Sequence, residues 1–575
     1  MRRGLFWLRI FSLAVFSWIV FFAMTVHQER KQKYINIDSL NQTLNEALCE
    51  LTKVLDENAE LKQQVIVLSE KLKVNEKQQK TKKNKLKGPP EEYELLRRRI
   101  LLNTKEFWYY VSSKWRELNK EFKNVSYVEK TRNMIDEHYR SLITNVIKLA
   151  DVDGHARWRQ QEHNYLSALI EKRLKYVQNP PDCSNAQKVV CQFDTNDWYA
   201  FGCRLHHLLN CMVTAYGSGR TMVMYNHDAW EFTSGGWNTL FLPLSDTCES
   251  VEGKTVAPWP RNSTHEPNTQ VLTLVLPLIT VNDSNRARPP FIPLILPEDL
   301  ATRINVLHGD PGVWWIGQFL KYMLRPQKSI SDKITAYAER IKFRTPCVGV
   351  HVRRTDKIKS EAALHNLDEY MYHVGEYYKI KELYDGRPCE KRIYLATDEP
   401  QVFDEAKLKY PDYEIIGDPE ISKTGIPKAR KSDNSLVNVF IDIHFLASCE
   451  YLVCTFSSNV CRIAYEIMNS VKPDASAMFT SLDDTYYFND QIHRLNVAIL
   501  PHKAEGPEEM DLQVGDQIEV AGNHWNGYSK GMNLRTKQFL LYPTFKVIPK
   551  IETIPFATYP NITINIDEFN EEINE

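Results

Sequence analysis

Two adjacent arginines at the end of a short apolar run are the residues best placed to do chemistry in this sequence. Residues 346–352 form a β-branched run that predicts a buried parallel strand, and Arg353 and Arg354 follow it directly. In open α/β sheets, ligands bind beyond the carboxyl ends of the strands, so both side chains are expected to meet a phosphate-bearing ligand. A guanidinium suits this role because it holds two phosphate oxygens at once and keeps its charge. A surface ion pair between Arg354 and Asp356 is the alternative.

Two further features are typical of a nucleotide site. Asp442 lies beside the predicted buried face of a helix that starts at Leu436. A partly buried carboxylate needs hydrogen-bond donors, and guanine offers an adjacent N–H and amino group, whereas adenine does not. Residues 456–459 (FSSN) lie at a strand-to-helix junction, where free backbone N–H groups and the helix dipole favour a phosphate. An ion pair for Asp442 and plain N-capping for the two serines are the alternatives.

The elements around these residues predict a parallel, doubly wound sheet. Strand-like runs recur at Arg392–Thr397, near Tyr413 and from Tyr451, with helical sequence between them. Residues 341–500 are therefore predicted to form a Rossmann-type domain. A first α/β domain is predicted ahead of it, at residues 181–340.

The composition sets limits on function. The chain has 575 residues, enough for three or more folded units, and 72 Lys and Arg balance 73 Asp and Glu. The net charge of -1 gives no general affinity for nucleic acid, so none is predicted as a partner. Asp151 and Asp153 form an Asp-x-Asp pair typical of some metal sites. They lie in helix-like sequence and do not follow a buried strand, so no metal site is predicted there.

The amino terminus predicts a membrane anchor. Ile10 to Val26 has no charged residue and is long enough to span a bilayer with its flanks. No small-residue cleavage site follows, so an uncleaved signal-anchor is favoured over the alternative, a cleaved signal peptide. The long carboxyl part carries clustered cysteines and five glycosylation sequons, at Asn41, Asn124, Asn262, Asn282 and Asn561. The sequence therefore predicts a type II membrane protein whose carboxyl part faces a secretory lumen.

Helical sequence follows the predicted anchor. Apolar residues at heptad spacing from Leu44 to Leu72, with Asn58 at one seam position, predict a parallel coiled-coil dimer. A single amphipathic helix is the alternative. A basic linker ends at Pro90, and residues 91–180 are predicted to form a second helical, dimerising segment.

A small β domain is predicted near the carboxyl end. Residues 512–547 combine strand-like sequence with a Trp-x-Gly-Tyr turn and a final Tyr-Pro, as in SH3-type barrels. The acidic-aromatic sequence of the usual proline-peptide binders is missing, so binding of such peptides is not predicted. The acidic tail is predicted to be disordered.

Several long motifs resemble one family. HVRRTDK, YLATDE, DIHFL, CTFSSNVCR, SLDDTYYF and AGNHWNGYSKG, in this order behind an anchor and a helical stem, resemble the α1,6-fucosyltransferases that add core fucose to N-glycans. The resemblance implies a Golgi type II enzyme with a GT-B-like α/β fold, a Rossmann-type donor domain and a lumenal SH3-like β-barrel. It implies transfer of fucose from GDP-fucose to the 6-hydroxyl of the innermost, Asn-linked GlcNAc, with inversion and with neither a metal nor another cofactor.

The residue patterns and the resemblance together predict domain boundaries and partners. The boundaries are a cytoplasmic tail at 1–9, the membrane span at 10–27, a coiled-coil stem and linker at 28–90, a helical dimerisation segment at 91–180, the two α/β domains at 181–340 and 341–500, an SH3-like domain at 501–562 and an acidic tail at 563–575. The implied partners are GDP-fucose, N-glycans of glycoproteins, the membrane and a second copy of the chain.

Site residues carry over by position in the matching motifs. The implied donor-binding set is His351, Arg353, Arg354, Tyr370, Asp398, Asp442 and Ser458. In this set Arg353 lies on the diphosphate, with Arg354 supporting it, and Tyr370 lies close to the fucose. Glu361 matches the general base, and Lys357 a residue that relays the proton or steadies the leaving phosphate. The implied acceptor-binding set is Asp483, Asp484, Tyr487, Gln491 and His524.

The resemblance implies three disulfides, and the sequence departs from the family at two points. The implied pairs are Cys183 with Cys248, Cys191 with Cys211, and Cys454 with Cys461. The usual short-range partner of Cys203 is replaced, with Tyr199 near that position, and the second acidic residue after the ATD strand is Glu399. A looser loop near the diphosphate is the expected result.

Two other functions share parts of this sequence pattern. A protein O-fucosyltransferase has the HxRR element and GDP-fucose, but not the stem and SH3-like domain together. A non-enzymatic Golgi tether has an anchor and a coiled coil, but no reason to place Glu361 and two arginines at a strand end.

Overall fold

The computed structural model describes most of the chain after residue 87. The described residues are 88–121, 126–193, 200–225, 230, 232–260, 268–276, 289–356, 358, 362–426, 429–430, 432–488 and 494–564. Within these residues, no helix has the length and apolar character that crossing a membrane requires. The predicted membrane span and coiled coil lie outside the described residues and stay predictions.

Three long helices open the described chain. They are α1 (Glu91–Glu121), α2 (Ser126–Val152) and α3 (Ala156–Gln178). The helix α1 starts after Pro89-Pro90 and has acidic residues in its first turn, which favour the positive end of a helix dipole. It packs on α2, where Trp108 stacks on Tyr139 with ring centroids 4.6 Å apart. The predicted helical segment is therefore present, and dimerisation through it stays a prediction.

A first α/β unit follows. Its elements are β1 (Lys188–Phe193), α4 (Phe201–Ser218), β2 (Thr221–Met224), β3 (Val256–Pro258), β4 (Val271–Leu276), β5 (Leu296–Pro297), α5 (Ala301–Leu307), α6 (Pro311–Met323) and α7 (Lys328–Arg340). The strands β2-β1-β4-β3 form a parallel sheet in that order. The helix α4 is buried along its whole length, because it packs on β1 and β2 and also on α6.

A second α/β unit carries the two arginines. Its elements are β6 (Val348–Val352), α8 (Leu367–Asp385), β7 (Arg392–Thr397), α9 (Gln401–Lys409), β8 (Glu414–Ile416), α10 (Pro419–Thr424), α11 (Asp433–Ser448), β9 (Tyr451–Cys454), α12 (Asn459–Val471) and β10 (Phe479–Ser481). The strand order is β10-β9-β6-β7-β8 and every pairing is parallel. All residues of β6 and β7 are buried, as expected for strands covered on both faces. The predicted doubly wound sheet is confirmed.

The two α/β units share one hydrophobic core. The helix α6 of the first unit packs closely on α12 of the second. The approach is so close that a side chain at Gly317 would collide with the backbone oxygen of Glu466. Because the packing continues across both units, it holds the second sheet in a fixed position against the first.

A small antiparallel β unit ends the fold. Its strands are β11 (Leu495–Ala498), β12 (Gln517–Asn523), β13 (Tyr528–Asn533), β14 (Phe539–Pro543) and β15 (Val547–Pro549), in the order β14-β13-β12-β11-β15 around a core of its own. This confirms an α/β fold followed by an SH3-like β unit.

The ends of this β unit differ from the predicted boundaries. Its first strand lies before residue 501, the predicted start. After its last strand, β16 (Thr553–Ile554) pairs with β5, and Phe556 and Tyr559 are buried in the α/β core. Residues 553–559 therefore pack with the first α/β unit and not with the SH3-like domain predicted to reach residue 562. Most of the predicted acidic tail lies outside the described residues.

Candidate active site

The carboxyl ends of four parallel strands form the candidate active site. Arg353 follows β6, Asp398 follows β7, Ser457 lies just beyond β9 and Asp483 lies just beyond β10. Parallel strands end at the same edge of a sheet, so these side chains share one edge. The chain runs outward from β6 to β8 and then returns to β9 on the other side of β6. The strand order therefore reverses between β6 and β9, where open α/β sheets bind their ligands.

The carboxylate of Asp398 organises the loop that holds Arg353. It forms an ion pair with the Arg353 guanidinium and accepts hydrogen bonds from the backbone N–H groups of Arg354 (2.9 Å) and Thr355 (3.2 Å). The Thr355 hydroxyl, which also donates to Asp398, accepts a 2.8 Å hydrogen bond from Arg353 Nη1. Asp398 is buried, so it acts on the site by fixing the position of the arginine.

The alternative ion pair between Arg354 and Asp356 is not the one observed. Arg354 Nη1 lies 3.2 Å from a Glu399 carboxylate oxygen and 3.4 Å from a Glu405 one, while Asp356 pairs with Arg353. The carboxylate of Glu399, one of the two departures from the family pattern, thus balances the second arginine.

Arg430 is a third guanidinium at this edge, and sequence analysis missed it. Its Nη1 and Nη2 donate to the two Asp356 carboxylate oxygens at 2.9 and 2.8 Å, and its Nε donates to Gly425 O at 2.7 Å. The hydrogen bonds from Arg430, together with the charge of Arg353, hold the pKa of Asp356 well below its usual range. Arg430 lies in an irregular loop before α11, and a basic residue in a loop gives no periodic signal.

Asp442 and His351 form the proposed base-recognition end of the site. Asp442 Oδ1 accepts a 2.7 Å hydrogen bond from the Tyr394 hydroxyl, so its partner among the described residues is not the Lys or Arg of the alternative interpretation. Burial raises the pKa of Asp442 to about 7. Burial, and then the charge of Arg353, lower the pKa of His351 to about 3. Among the described residues, the buried Nδ1 of neutral His351 has no hydrogen-bond partner, so it is able to bond a ligand.

The turn between β9 and α12 presents backbone groups at the reversal point. Ser458 occupies the N-cap position of α12, but its side chain makes no capping hydrogen bond. The N-capping alternative is therefore wrong for this serine. The backbone N–H of Ser457 points toward the Asp483 carboxylate, 3.3 Å away. The positive end of the α12 dipole therefore lies beside the Asp483 carboxylate at this edge of the sheet.

A second group of predicted residues lies where the β unit meets the α/β sheet. Trp525 Nε1 donates to Asp483 O at 2.9 Å, so the turn that holds the exposed His524 is fixed beside the predicted acceptor loop. The Tyr109 ring of α1 packs edge-on against Trp525, with centroids 5.7 Å apart. Trp525 was not predicted, because its contacts join three parts of the chain that are distant in sequence.

Other members of the predicted sets take the following places. Tyr370 is buried in α8, and burial, then the Asp483 charge, raise its pKa, which the charge of Arg354 opposes. The Arg462 guanidinium lies over the Tyr487 ring at 4.0 Å. Partial burial, then the Asp483 charge, raise the pKa of Asp484. Lys357, Glu361 and Gln491 lie outside the described residues.

The remaining predicted features are the three cysteine pairs and the Asp-x-Asp pair, and of these only the Cys454–Cys461 pair lies next to the strand ends of the candidate site. The structure joins Cys183 with Cys248, Cys191 with Cys211, and Cys454 with Cys461, the last pair tying the end of β9 to α12. The sulfur of Cys203 lies 3.5 Å from His207 Nε2. Asp151 and Asp153 pair with Tyr384 and Arg159, and in the described part of the chain no group of His, Cys, Asp or Glu is arranged to hold a metal ion.

Two parallel α/β units with a charged crevice at a reversal of strand order are an arrangement that binds nucleotide-type ligands, and the comparison of sequences identifies the class of enzyme. Residues 2–487 match the family model for the N- and catalytic domains of α-(1,6)-fucosyltransferase. The chain therefore belongs to the α-(1,6)-fucosyltransferase family.

Two relatives support this assignment. The chain is 44% identical over 484 residues to the α-(1,6)-fucosyltransferase of Drosophila melanogaster, which covers 82% of this chain and 76% of that protein. It is 36% identical over 421 residues to the α-(1,6)-fucosyltransferase of Caenorhabditis elegans, covering 73% and 74%. A solved structure of the α-1,6-fucosyltransferase NodZ soaked with GDP-fucose aligns at 17% identity and a TM-score of 0.30, over 49% of this chain and 92% of that one.

Proposed function

We propose that this enzyme transfers fucose from GDP-fucose in α1,6 linkage to the innermost, Asn-linked GlcNAc of N-glycans. The observation that carries the proposal is the family match over residues 2–487, which contains the whole charged strand edge. The reaction inverts the sugar configuration, and the two α/β units divide the work in the GT-B manner, with the second unit holding the donor.

The arginines at the strand edge bind and neutralise the donor diphosphate. Asp398 holds Arg353 in place, and Arg353 binds the phosphates. Arg354 and Arg430 add positive charge at the same edge of the sheet. Departure of GDP leaves charge on the diphosphate, and fixed cations in a water-poor site stabilise that charge without needing to move. The proposal therefore includes metal-independent catalysis, because guanidinium groups take the diphosphate charge that a divalent ion carries in other enzymes.

Glu361 and Lys357 complete the proposed chemistry. Inverting transfer needs one base on the attacking hydroxyl, opposite the departing group. Glu361 is the proposed base for the 6-hydroxyl, and Lys357 relays the proton or steadies the leaving phosphate. GDP is a stable anion, so the mechanism requires no separate general acid.

The acceptor glycan is proposed to bind where the SH3-like unit meets the α/β sheet. Asp483, Asp484, Tyr487, Gln491 and His524 are the proposed contacts, with Trp525 holding the two sides together. The enzyme is further proposed to act in the Golgi lumen, anchored by residues 10–27 as a type II protein, and to dimerise through its stem helices.

The first test is transfer by the purified protein in the presence of EDTA. We expect a GlcNAc-terminated biantennary glycopeptide, incubated with GDP-fucose, to gain one deoxyhexose on its reducing-end GlcNAc, as read by mass spectrometry. A parallel reaction with added Mg²⁺ should give the same rate. Transfer to a Ser/Thr peptide and not to the glycan would favour a protein O-fucosyltransferase. No transfer to either acceptor would favour a non-enzymatic tether. Loss of activity in EDTA would contradict the proposal that guanidinium groups replace a metal ion.

Binding of GDP-fucose should weaken as the pH falls through about 7. Only ionised Asp442 accepts two hydrogen bonds from guanine, and the pKa of this group in the free protein is about 7. The binding constant should therefore be level above this pH and fall below it by up to about tenfold per pH unit. His351, with a pKa of about 3, stays neutral over the same range.

Calorimetry between pH 5.5 and 8.5 measures this dependence. GDP-fucose is the correct ligand because its esterified diphosphate does not titrate there. The matched variant is Asp442→Asn, which should bind weakly and show no pH dependence near 7. If the Asp442→Asn variant keeps the wild-type pH profile, Asp442 does not recognise guanine.

A further inference from the structure

Two cysteines outside the three disulfides lie against each other under the donor site. Cys347 comes directly before β6, and Cys449 comes directly after α11. Both are fully buried, and their sulfur atoms are 3.1 Å apart. We propose that Cys347 and Cys449 form a fourth disulfide in the mature protein.

The backbone around the pair suits such a bond. The N–H of Glu450 donates to Cys347 O at 2.9 Å, and the parallel register pairs Val348 with Tyr451. Cys347 is thus level with Glu450, and Cys449 is one residue away on the neighbouring chain, where strands lie about 4.8 Å apart. With the offset of one residue, the two Cα atoms are about 6 Å apart, within the range of about 4.4–6.8 Å that disulfides require. The sulfurs need to approach by about 1 Å to reach the bond length of about 2.05 Å.

Formation of the bond is an oxidation by thiol–disulfide exchange. The thiolate of one cysteine attacks a disulfide of an oxidising protein, and the other cysteine then attacks the mixed disulfide. The two thiols lose two protons and two electrons, and the oxidant leaves as a dithiol. An oxidant of this class also accounts for the three other disulfides of the chain.

Burial sets the time at which this bond forms. The apolar surroundings, and then the contact with Cys347, raise the pKa of the Cys449 thiol well above its usual value, so little thiolate exists in the folded protein. Exchange therefore occurs while the chain folds, before the sheet covers the pair. Once formed, the bond is out of reach of soluble reductants, which makes it a structural link and not a switch.

The link would fasten two elements that carry donor-site residues. The strand β6 leads from Cys347 to His351 and Arg353, and α11 ends at Cys449 and carries Asp442. The closed loop has a sequence separation of 102 residues. Cross-linking a loop of this length restricts the unfolded chain strongly, so the bond should raise the midpoint of thermal unfolding. The proposal does not depend on the donor or the acceptor, and its failure would leave the proposed function untouched.

Peptide mapping of the full chain tests the proposal directly. The protein, expressed through a secretory pathway, is unfolded without reductant in iodoacetamide, digested and read by mass spectrometry. We expect a linked peptide containing Cys347 and Cys449, which disappears on reduction. Half-buried Cys389 should be alkylated and serves as the internal control. Alkylation of both Cys347 and Cys449 while Cys183–Cys248 stays linked, or a link from either to another cysteine, overturns the proposal.

A double-mutant cycle gives an independent readout. The single variants Cys347→Ala and Cys449→Ala each remove the whole bond, so each should lower the unfolding midpoint nearly as much as the double variant does. Two unlinked thiols in contact would couple only in part, so the loss in the double variant would clearly exceed that in either single variant. Such an excess in the cycle would contradict the fourth disulfide even if the variants are less stable than expected.

Discussion

Replacing Arg353 with alanine is expected to abolish measurable fucose transfer. The side chain lies at the reversal of strand order and is held there by Asp398 and Thr355. Removing one preorganised group that stabilises transition-state charge typically costs about 10²–10³ in rate, and Arg353 is proposed to contact the diphosphate of both the bound donor and the leaving group. We therefore expect kcat to fall by about 10³ or more, together with weaker binding of GDP.

The fold should survive this change, since Asp398 keeps its hydrogen bonds from the backbone of Arg354 and Thr355. Circular dichroism and the unfolding midpoint check this point. A matched control is Arg344→Ala, which removes an exposed arginine just before β6, at the opposite end of the strand. It should keep full activity. Near-normal transfer by the Arg353→Ala variant would contradict the proposal that Arg353 binds the diphosphate.

Arg353→Lys separates charge from geometry. Lysine keeps one positive charge but loses the planar fork that holds two oxygens, so an intermediate rate is expected. A rate equal to that of the wild type would show that charge alone suffices at this position.

The sequence predicted the sheet well because its signals are local. Buried parallel strands such as residues 348–352 are continuous apolar runs, and the charged residues that follow them stand out against that background. The strand-end positions of Arg353 and Asp398 could therefore be predicted from the chain alone. Their partners could not, because which carboxylate meets which guanidinium depends on side-chain reach across the loops.

The parts that sequence analysis missed depend on contacts between distant segments. Arg430 reaches Asp356 across 74 positions, and Trp525 reaches Asp483 across 42. The end of the SH3-like unit was misplaced for the same reason. Residues 553–554 look like a continuation of the preceding strands, but they pair with β5, more than 250 positions earlier in the chain. Short strands take their partners from tertiary packing, which overrides local pattern.

Replacing Glu361 with glutamine should separate catalysis from donor binding. Glutamine has nearly the same shape but cannot accept the proton of the 6-hydroxyl, so kcat should fall by about 10²–10⁴. The proposed diphosphate contacts come from other residues, so the dissociation constant of GDP-fucose, measured by calorimetry, should stay within about twofold. The acidic limb of the kcat/KM profile should also disappear if Glu361 is the group that must lose its proton.

Glu399→Gln is the matched control for that variant. It makes the same chemical change to a different carboxylate, one that balances Arg354 at the strand edge and is not proposed to act as the base. Its main effect should be tighter binding of GDP-fucose, because the charge of Arg354 is then less neutralised and can pair with phosphate. If both variants lose rate equally, the loss reflects removal of a negative charge and not removal of a base. If only the Glu361 variant loses rate, Glu361 is the side chain that takes the proton from the acceptor hydroxyl.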